Sequence, residues 1–193
     1  VQSTDDEVLS LINRGHKVLA VKKATQLLRD AGFKITYHLM PGLPGSSFVK
    51  DIKMLKDVFE NEDFKPDNIK FYPTQLVKNS PLVSWYQMGK FQPIDEDYLK
   101  KLTEVFTKEI VPSWVRINRL VRDLTRNDLV IETFPSNFRQ NIEKYLEDKG
   151  IKCPCIRCRE IKDDKIKGKV SIKTQKYKAN GGFEFFIEAI DNN

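Results

Sequence analysis

Residues 33–46, FKITYHLMPGLPGS, decide the fold class. Phe33, Ile35, Tyr37 and Leu39 alternate with Lys34, Thr36, His38 and Met40, the period of two that marks a strand with two different faces. Pro41-Gly42-Leu43-Pro44-Gly45 then forces a tight turn, and a helix is predicted from about Ser47 to Asn61 with Phe48, Ile52, Leu55 and Phe59 as its buried stripe. Strand, glycine-rich turn and helix form the unit with which α/β proteins place chemistry at the carboxyl end of a strand. The turn is too rich in proline for a P-loop, and the Lys-Ser/Thr that would hold a nucleotide phosphate is missing.

Working outward, the spacing predicts a short helix from Asp5 or Thr4 to Arg14, with Val8, Leu11 and Ile12 on its apolar side. A second helix is expected over 16–31, burying Ala20, Ala24, Leu27 and Ala31, with Gly32 closing it. Downstream, a strand is expected at 68–72, a short helix near 82–88 and a longer helix starting at Asp95 with Tyr98, Leu102, Val105 and Phe106 inward. A strand at 114–122 and a helix at 137–149 follow, the latter burying Phe138, Ile142 and Tyr145. This alternation is the pattern of βα units on a parallel sheet. It changes after Lys149: VSIKTQKY and FEFFIEAI alternate as strands around Ala-Asn-Gly-Gly, a hairpin signal.

The chain has 193 residues, 40% hydrophobic and 31% charged, the composition of a globular domain rather than a disordered tract. No apolar run reaches the roughly 20 residues that span a bilayer, so no membrane partner is expected. VQSTDDEVLS has no signal-peptide pattern, and an opening in mid-strand without Met suggests a piece of a longer protein. The net charge of +6 permits a polyanionic partner.

Three groups of residues could carry chemistry. Thr36, His38 and Met40 from one strand and Lys70 and Tyr72 from the next reach the carboxyl ends beside the Pro/Gly turn; a histidine there serves either as hydrogen-bonded structure or as a catalyst. VPSWVRINRLVRDLTR carries Arg116, Arg119, Arg122 and Arg126, which suit phosphate oxygens or ion pairs with Asp123, Asp128 and other acids. Cys153, Cys155 and Cys158 lie within six residues, too bunched for a disulfide framework. They suit a sulfur-bound zinc that takes a fourth ligand elsewhere, or an iron–sulfur cluster. From Lys149 to Lys178, eleven Lys/Arg against three Asp/Glu favour the zinc reading, in a rigid loop facing nucleic acid.

GHKVLAVKKATQLLRDAGFKITYHLMPGLPGS, KFYPTQLVKNSPL, VPSWVRINRLVRDL, GIKCPCIRCREI and YKANGGFEFFIEAID, in that order, resemble the catalytic subunit of Elongator, a family that modifies the wobble uridine of tRNA. The resemblance implies an α/β chain: the C-terminal half of a partial (β/α) barrel of radical S-adenosylmethionine (SAM) type over residues 1–134. A helix, a zinc-binding cysteine loop and a basic linker would fill 135–165, and residues 166–193 would begin an incomplete GNAT-like acetyltransferase domain. It places Gln2, His38, Met40, Pro41, Gly42 and Tyr72 at the SAM pocket, Cys153, Cys155 and Cys158 on zinc, and Arg116, Arg119, Arg122, Arg157 and Arg159 on tRNA. The parent enzyme is expected to use a [4Fe–4S] cluster, SAM and acetyl-CoA to start a carboxymethyl group at uridine C5. In that reaction a 5′-deoxyadenosyl radical takes hydrogen from the acetyl group and the carbon radical adds to C5. The motif for the cluster and the acetyl-CoA turn are expected outside this chain, so the chain alone is expected to be inactive. Expected partners are tRNA and either other Elongator subunits or a second copy, in the cytoplasm or, in a eukaryote, also the nucleus. The rival readings are a zinc-stapled RNA-binding module without chemistry and a protein-lysine (histone) acetyltransferase subunit. Ala189-Ile190-Asp191 departs from the family pattern, so fraying is expected there.

Overall fold

The computed structural model describes residues 1–122, 124–135 and 137–192, with Arg126 described in its backbone only; Asp123 and the Arg126 side chain, both weighed above, therefore lie outside the described residues. Strands β1 (Thr36–Leu39), β2 (Asn68–Phe71) and β3 (Arg116–Leu120) form a parallel sheet in the order β1-β2-β3. Helix α1 (Asp6–Leu11) and helix α2 (Val18–Asp30) precede the sheet, and helix α3 (Phe48–Glu60) makes the first crossover. Helices α4 (Leu82–Gln87) and α5 (Glu96–Val105) make the second, and α5 ends in a π turn, Phe106–Ile110, just before Pro112. All strand carboxyl ends thus lie along one edge.

Local chemistry accounts for the helix starts. Asp5 accepts from the amides of Glu7 and Val8, Ser47 from Lys50 and Asp95 from Tyr98, each satisfying donors that the first turn leaves open. The core lies between the sheet and α3 and α5. Leu39, Ile69, Phe71 and Val115 pack with Leu55, Val58, Leu102 and Phe106, all at 0% exposure. Phe71 stacks on Phe106 at 5.5 Å between ring centres. Burial of such side chains contributes roughly 1.5–3 kcal/mol each.

Helix α2 turns over relative to its expected orientation. Val21 and Thr25 are buried, whereas Ala20, Ala24, Ala31 and Leu27, 70% exposed, face outward. The inward side is fixed by polar ties: Thr25 hydrogen-bonds Tyr37, Lys22 pairs with Asp63, and Arg29 donates to the Lys65 carbonyl while pairing with Glu184. Those ties outweigh the modest burial that three alanines offer. Helix α1 likewise buries Val8 and Leu9 and leaves Leu11 exposed. Phe33, the first member of the alternating set, is exposed, while Ile35, Tyr37 and Leu39 are buried as expected.

Helix α6 (Phe138–Asp148) buries Phe138, Ile142 and Leu146, and the short helix α7 (Ile156–Arg159) carries the last cysteine. Strands β4 (Val170–Ala179) and β5 (Gly182–Asp191) then form an antiparallel hairpin across Asn180-Gly181, both at positive φ as a tight hairpin turn requires. The ladder runs to Val170 opposite Asp191, so the pairing reaches the segment expected to fray. One hairpin face docks on the body: Tyr177 stacks on Trp114 at 4.4 Å, and the Asn180 amide donates to the Glu62 carbonyl. The other exposes Ile172, Phe183, Phe185 and Ile187.

Candidate active-site cleft and thiolate loop

The carboxyl edge of the sheet opens into a cleft with connected chambers. The first, about 430 Å³, is lined by residues including Gln2, His38, Met40, Tyr72, Gln75 and Arg122. His38 meets Tyr72 edge to face at 5.6 Å. Partial burial and the nearby charge of Lys70 hold its imidazole below the ordinary range, so the ring faces the chamber uncharged at neutral pH. Gln2 reaches the same wall because its carbonyl accepts from the Met40 amide at 2.9 Å. Pro41 and Gly42 are buried behind this wall rather than lining it.

The turn is held from behind by Asp51, 2% exposed. Its carboxylate accepts from the Gly42 amide at 2.8 Å, from Ser46 Oγ at 2.5 Å and from Tyr98 Oη at 2.8 Å. Burial pushes this carboxyl above its usual range, and the three donors oppose that shift. Sequence reasoning passed over Asp51. The signal was there: position 51 falls on the apolar stripe with Leu55 and Phe59 at helical spacing, a place where a carboxylate needs internal partners.

A second chamber of about 720 Å³ continues from the first through Gln75, Arg122 and Leu124. Arg119, Arg122, Arg139 and Arg157 line it, with Glu132 as the acid among them. The β2–β3 register slips after Ile69, so that Arg119 rather than Asn118 stands opposite Lys70. Arg157 donates to the Asn118 carbonyl, which ties the cysteine segment to this wall. Of the five arginines expected to act together, Arg119, Arg122 and Arg157 converge here and two do not. Arg116 forks onto Glu160 at 2.9 and 3.3 Å, and Arg159 pairs with Glu188 at 2.6 Å while donating to the carbonyls of Pro154 and Ser113. Arg139 was missed because its pairing with Glu143 one helical turn away reads in sequence as an ordinary solvated face.

A third chamber of about 430 Å³, mainly apolar, shares Gln2, Met40, Gln75 and Val77 with the first. Leu43, Pro44 and Trp85 supply flat apolar wall, and the hydroxyls of Thr74 and Ser80 lack hydrogen-bond partners.

The cysteine loop forms because the Ile156 amide donates to the Val115 carbonyl beside β3, and Cys158 and Arg159 return hydrogen bonds to the Cys155 carbonyl. The three sulfurs lie within 4.8 Å of one another. Four sulfurs about 2.3 Å from one tetrahedral zinc stand roughly 3.8 Å apart, so the spacing suits a single ion. Hydrogen bonds from Cys153 and Cys158, and from the Ile117 amide, hold the Cys155 thiol far below its ordinary range, while Cys153 is pushed up. With three sulfurs at that spacing, the group can offer its sulfurs to a single cation. Among the described residues no fourth His, Cys, Asp or Glu joins it.

Residues 66–148 match the family model described as the Radical_SAM C-terminal domain. The mixed α/β chain therefore contains a segment of the Radical_SAM C-terminal domain type, followed by a three-cysteine cluster. Over 99% of its length it is 40% identical to the tRNA uridine(34) acetyltransferase of Methanocaldococcus infernus and 33% identical to Elongator complex protein 3 of Homo sapiens. A solved structure of archaeal Methanocaldococcus infernus Elp3 with an N-terminal deletion superposes with a TM-score of 0.90 at 39% identity, over 99% of this chain and 46% of that one. Across nearly its whole length the chain is thus similar to tRNA uridine(34) acetyltransferases and to Elongator complex protein 3. It spans about 37% of the length of the archaeal relative and 36% of the human one.

Proposed function

We propose that this chain forms one wall of the active site of a tRNA wobble-uridine-modifying radical SAM enzyme. The observation that carries the reading is the cleft itself: a chamber at the strand ends, walled by Gln2, His38, Met40 and Tyr72, that opens past Arg122 into an arginine-lined chamber on one side and into an apolar one on the other. SAM would lie in the first chamber against Gln2, His38, Met40 and Tyr72, with Pro41 and Gly42 shaping its wall from behind. Its adenine would rest on the apolar surface of Leu43, Pro44 and Trp85. An uncharged His38 avoids repelling the cationic sulfonium. The arginine chamber would hold backbone phosphates of the anticodon loop through Arg119, Arg122, Arg139 and Arg157, turning the target base toward the first chamber.

On this reading residues 1–134 are the second half of a partial (β/α) barrel, 135–165 a helix, zinc loop and basic linker, and 166–193 the start of an acetyltransferase-like domain. Cys153, Cys155 and Cys158 would hold zinc, whose role is to fix the loop that delivers Arg157 to the RNA wall. Arg116 and Arg159 brace that loop through Glu160 and Glu188. A [4Fe–4S] cluster bound by other parts of the parent protein would supply one-electron cleavage of SAM, and acetyl-CoA the carbon unit. The rest of an Elongator assembly, or a second copy, is the expected partner beyond tRNA.

The test is SAM cleavage by the cluster-loaded full-length protein that contains this chain, with and without tRNA. Formation of 5′-deoxyadenosine, stimulated by tRNA, is expected. A cluster-loaded protein that never cleaves SAM under either condition overturns the reading. An alternative, an RNA-binding module stapled by zinc, draws on the continuity of the cysteine loop with the arginine chamber through Arg157. It predicts tRNA binding without cleavage.

A further inference from the structure

Asp51 lies outside the chambers, yet it governs one of their walls. We propose that Asp51 is a positioning residue for the cofactor chamber, a latch that sets the path of the Met40–Gly45 turn; this rests on the reading of that chamber as a SAM site. Three features support the assignment. The carboxylate joins separate pieces of structure: its own helix α3, the backbone of the turn at Gly42, the end of the turn at Ser46, and α5 through Tyr98. The turn is pinned on its other sides as well, since the Met40 amide donates to the Gln2 carbonyl and the Thr74 amide to the Pro41 carbonyl. Finally, the turn has no slack: Gly42 adopts φ +75°, and a Cβ there would meet Ile94 side-chain carbons at 2.8–3.0 Å.

The choice of side chain also argues for direction over strength. A buried carboxylate is a poor stabiliser compared with an apolar side chain of similar volume, because desolvation offsets its attractions. What it adds is orientation, since two oxygens receiving three donors fix where the Gly42 amide points. Met40 and Gln2, both chamber-lining, are attached directly to this fixed segment. Burial and the neighbouring carboxylate raise the Tyr98 hydroxyl above its ordinary range, so it remains a donor at any working pH.

Asp51→Asn keeps the shape but leaves one carbonyl oxygen where the carboxylate had two, so the Gly42 amide and the Ser46 and Tyr98 hydroxyls no longer all find an acceptor there, and Tyr98→Phe removes a single bond. In the cluster-loaded full-length protein, Asp51→Asn is expected to weaken SAM binding about tenfold or more, and Tyr98→Phe about two- to fivefold. Cleavage rate at saturating SAM and affinity for tRNA should each stay within about twofold, and the Gly42 amide should exchange faster with solvent. This split is what a purely structural role would not give. Folded variants that bind SAM as tightly as wild type overturn the proposal, and so does a parallel loss of SAM and tRNA affinity. If Asp51→Asn does not fold, the same split in Tyr98→Phe decides, with wild-type SAM affinity there counting against the latch. A wild-type protein that binds no SAM removes the chamber's assignment before any variant is made, so the two failures are distinguishable.

Discussion

Tyr37 shows how one buried polar group links sequence pattern to pH. Its ring faces the core, its hydroxyl meets Thr25, and burial pushes the phenol up to about 12 from an ordinary 10.0. The folded state therefore holds this proton more tightly than the unfolded chain. The stability it contributes is fully present below pH 10 and is lost as pH rises through about 12. A shift of this size corresponds to about 2–3 kcal/mol at most. Tyr37→Phe should lose roughly 1 kcal/mol at neutral pH with the Thr25 hydrogen bond, yet show a shallower decline between pH 10 and 12. Urea unfolding midpoints across that range would check it, with an unchanged alkaline slope as the contrary result. The alternation Ile35, Tyr37, Leu39 was legible in the sequence. Thr25 as the partner was not, since it lies on a helix whose inward face the apolar pattern pointed the wrong way.

At the scale of elements, two local devices invite direct tests. The thiolate loop is expected to hold about one equivalent of zinc in protein purified without chelator. Cys155→Ser should abolish that and lower the melting temperature, because the energy of metal binding to such a loop would be part of its folding energy. Elemental analysis beside a thermal scan reads both, and a variant that retains full zinc would remove Cys155 from the ligand set. The hairpin β4–β5 is held by the Trp114–Tyr177 stack and by Asn180 on Glu62 and Asp63. Tyr177→Ala should raise amide exchange throughout β4 and β5 while β1–β3 remain protected, and should shift Trp114 fluorescence toward that of a solvated indole. Helix starts at Asp5, Ser47 and Asp95 were readable because capping involves neighbours in sequence. The register slip after Ile69, which sets Arg119 opposite Lys70, has no such local mark.

For the whole molecule the question is where the positive charge gathers. The net charge of +6 is a property of composition, but only folding divides the arginines into those lining the cleft and those bracing the loop. Removing a phosphate-contacting cation weakens RNA binding uniformly and reduces the salt slope by about one. Arg119→Ala, Arg122→Ala and Arg139→Ala should each do so, measured as log affinity for tRNA against log salt. Arg116→Ala should leave the slope nearly unchanged and act mainly through the Glu160 tie to the cysteine segment. Equal slopes for all of these variants would count against the chamber as a phosphate site.

The sequence by itself determined the parallel α/β pattern, the strand–turn–helix unit at residues 33–61, the hairpin and the cysteine triplet, because periodicity, capping and turn chemistry act over a few residues. Only the tertiary structure decided which face of α2 is buried, that Asp51 holds the PGLPG turn from behind, that Pro41 and Gly42 stand behind the chamber, and that Arg139 replaces Arg116 and Arg159 in the basic wall. Each of those outcomes depends on a partner tens of residues away along the chain, as Tyr98 is for Asp51 and Glu188 for Arg159. No local pattern encodes such a pairing, and it arises only when the sheet and its crossovers bring distant segments to one edge.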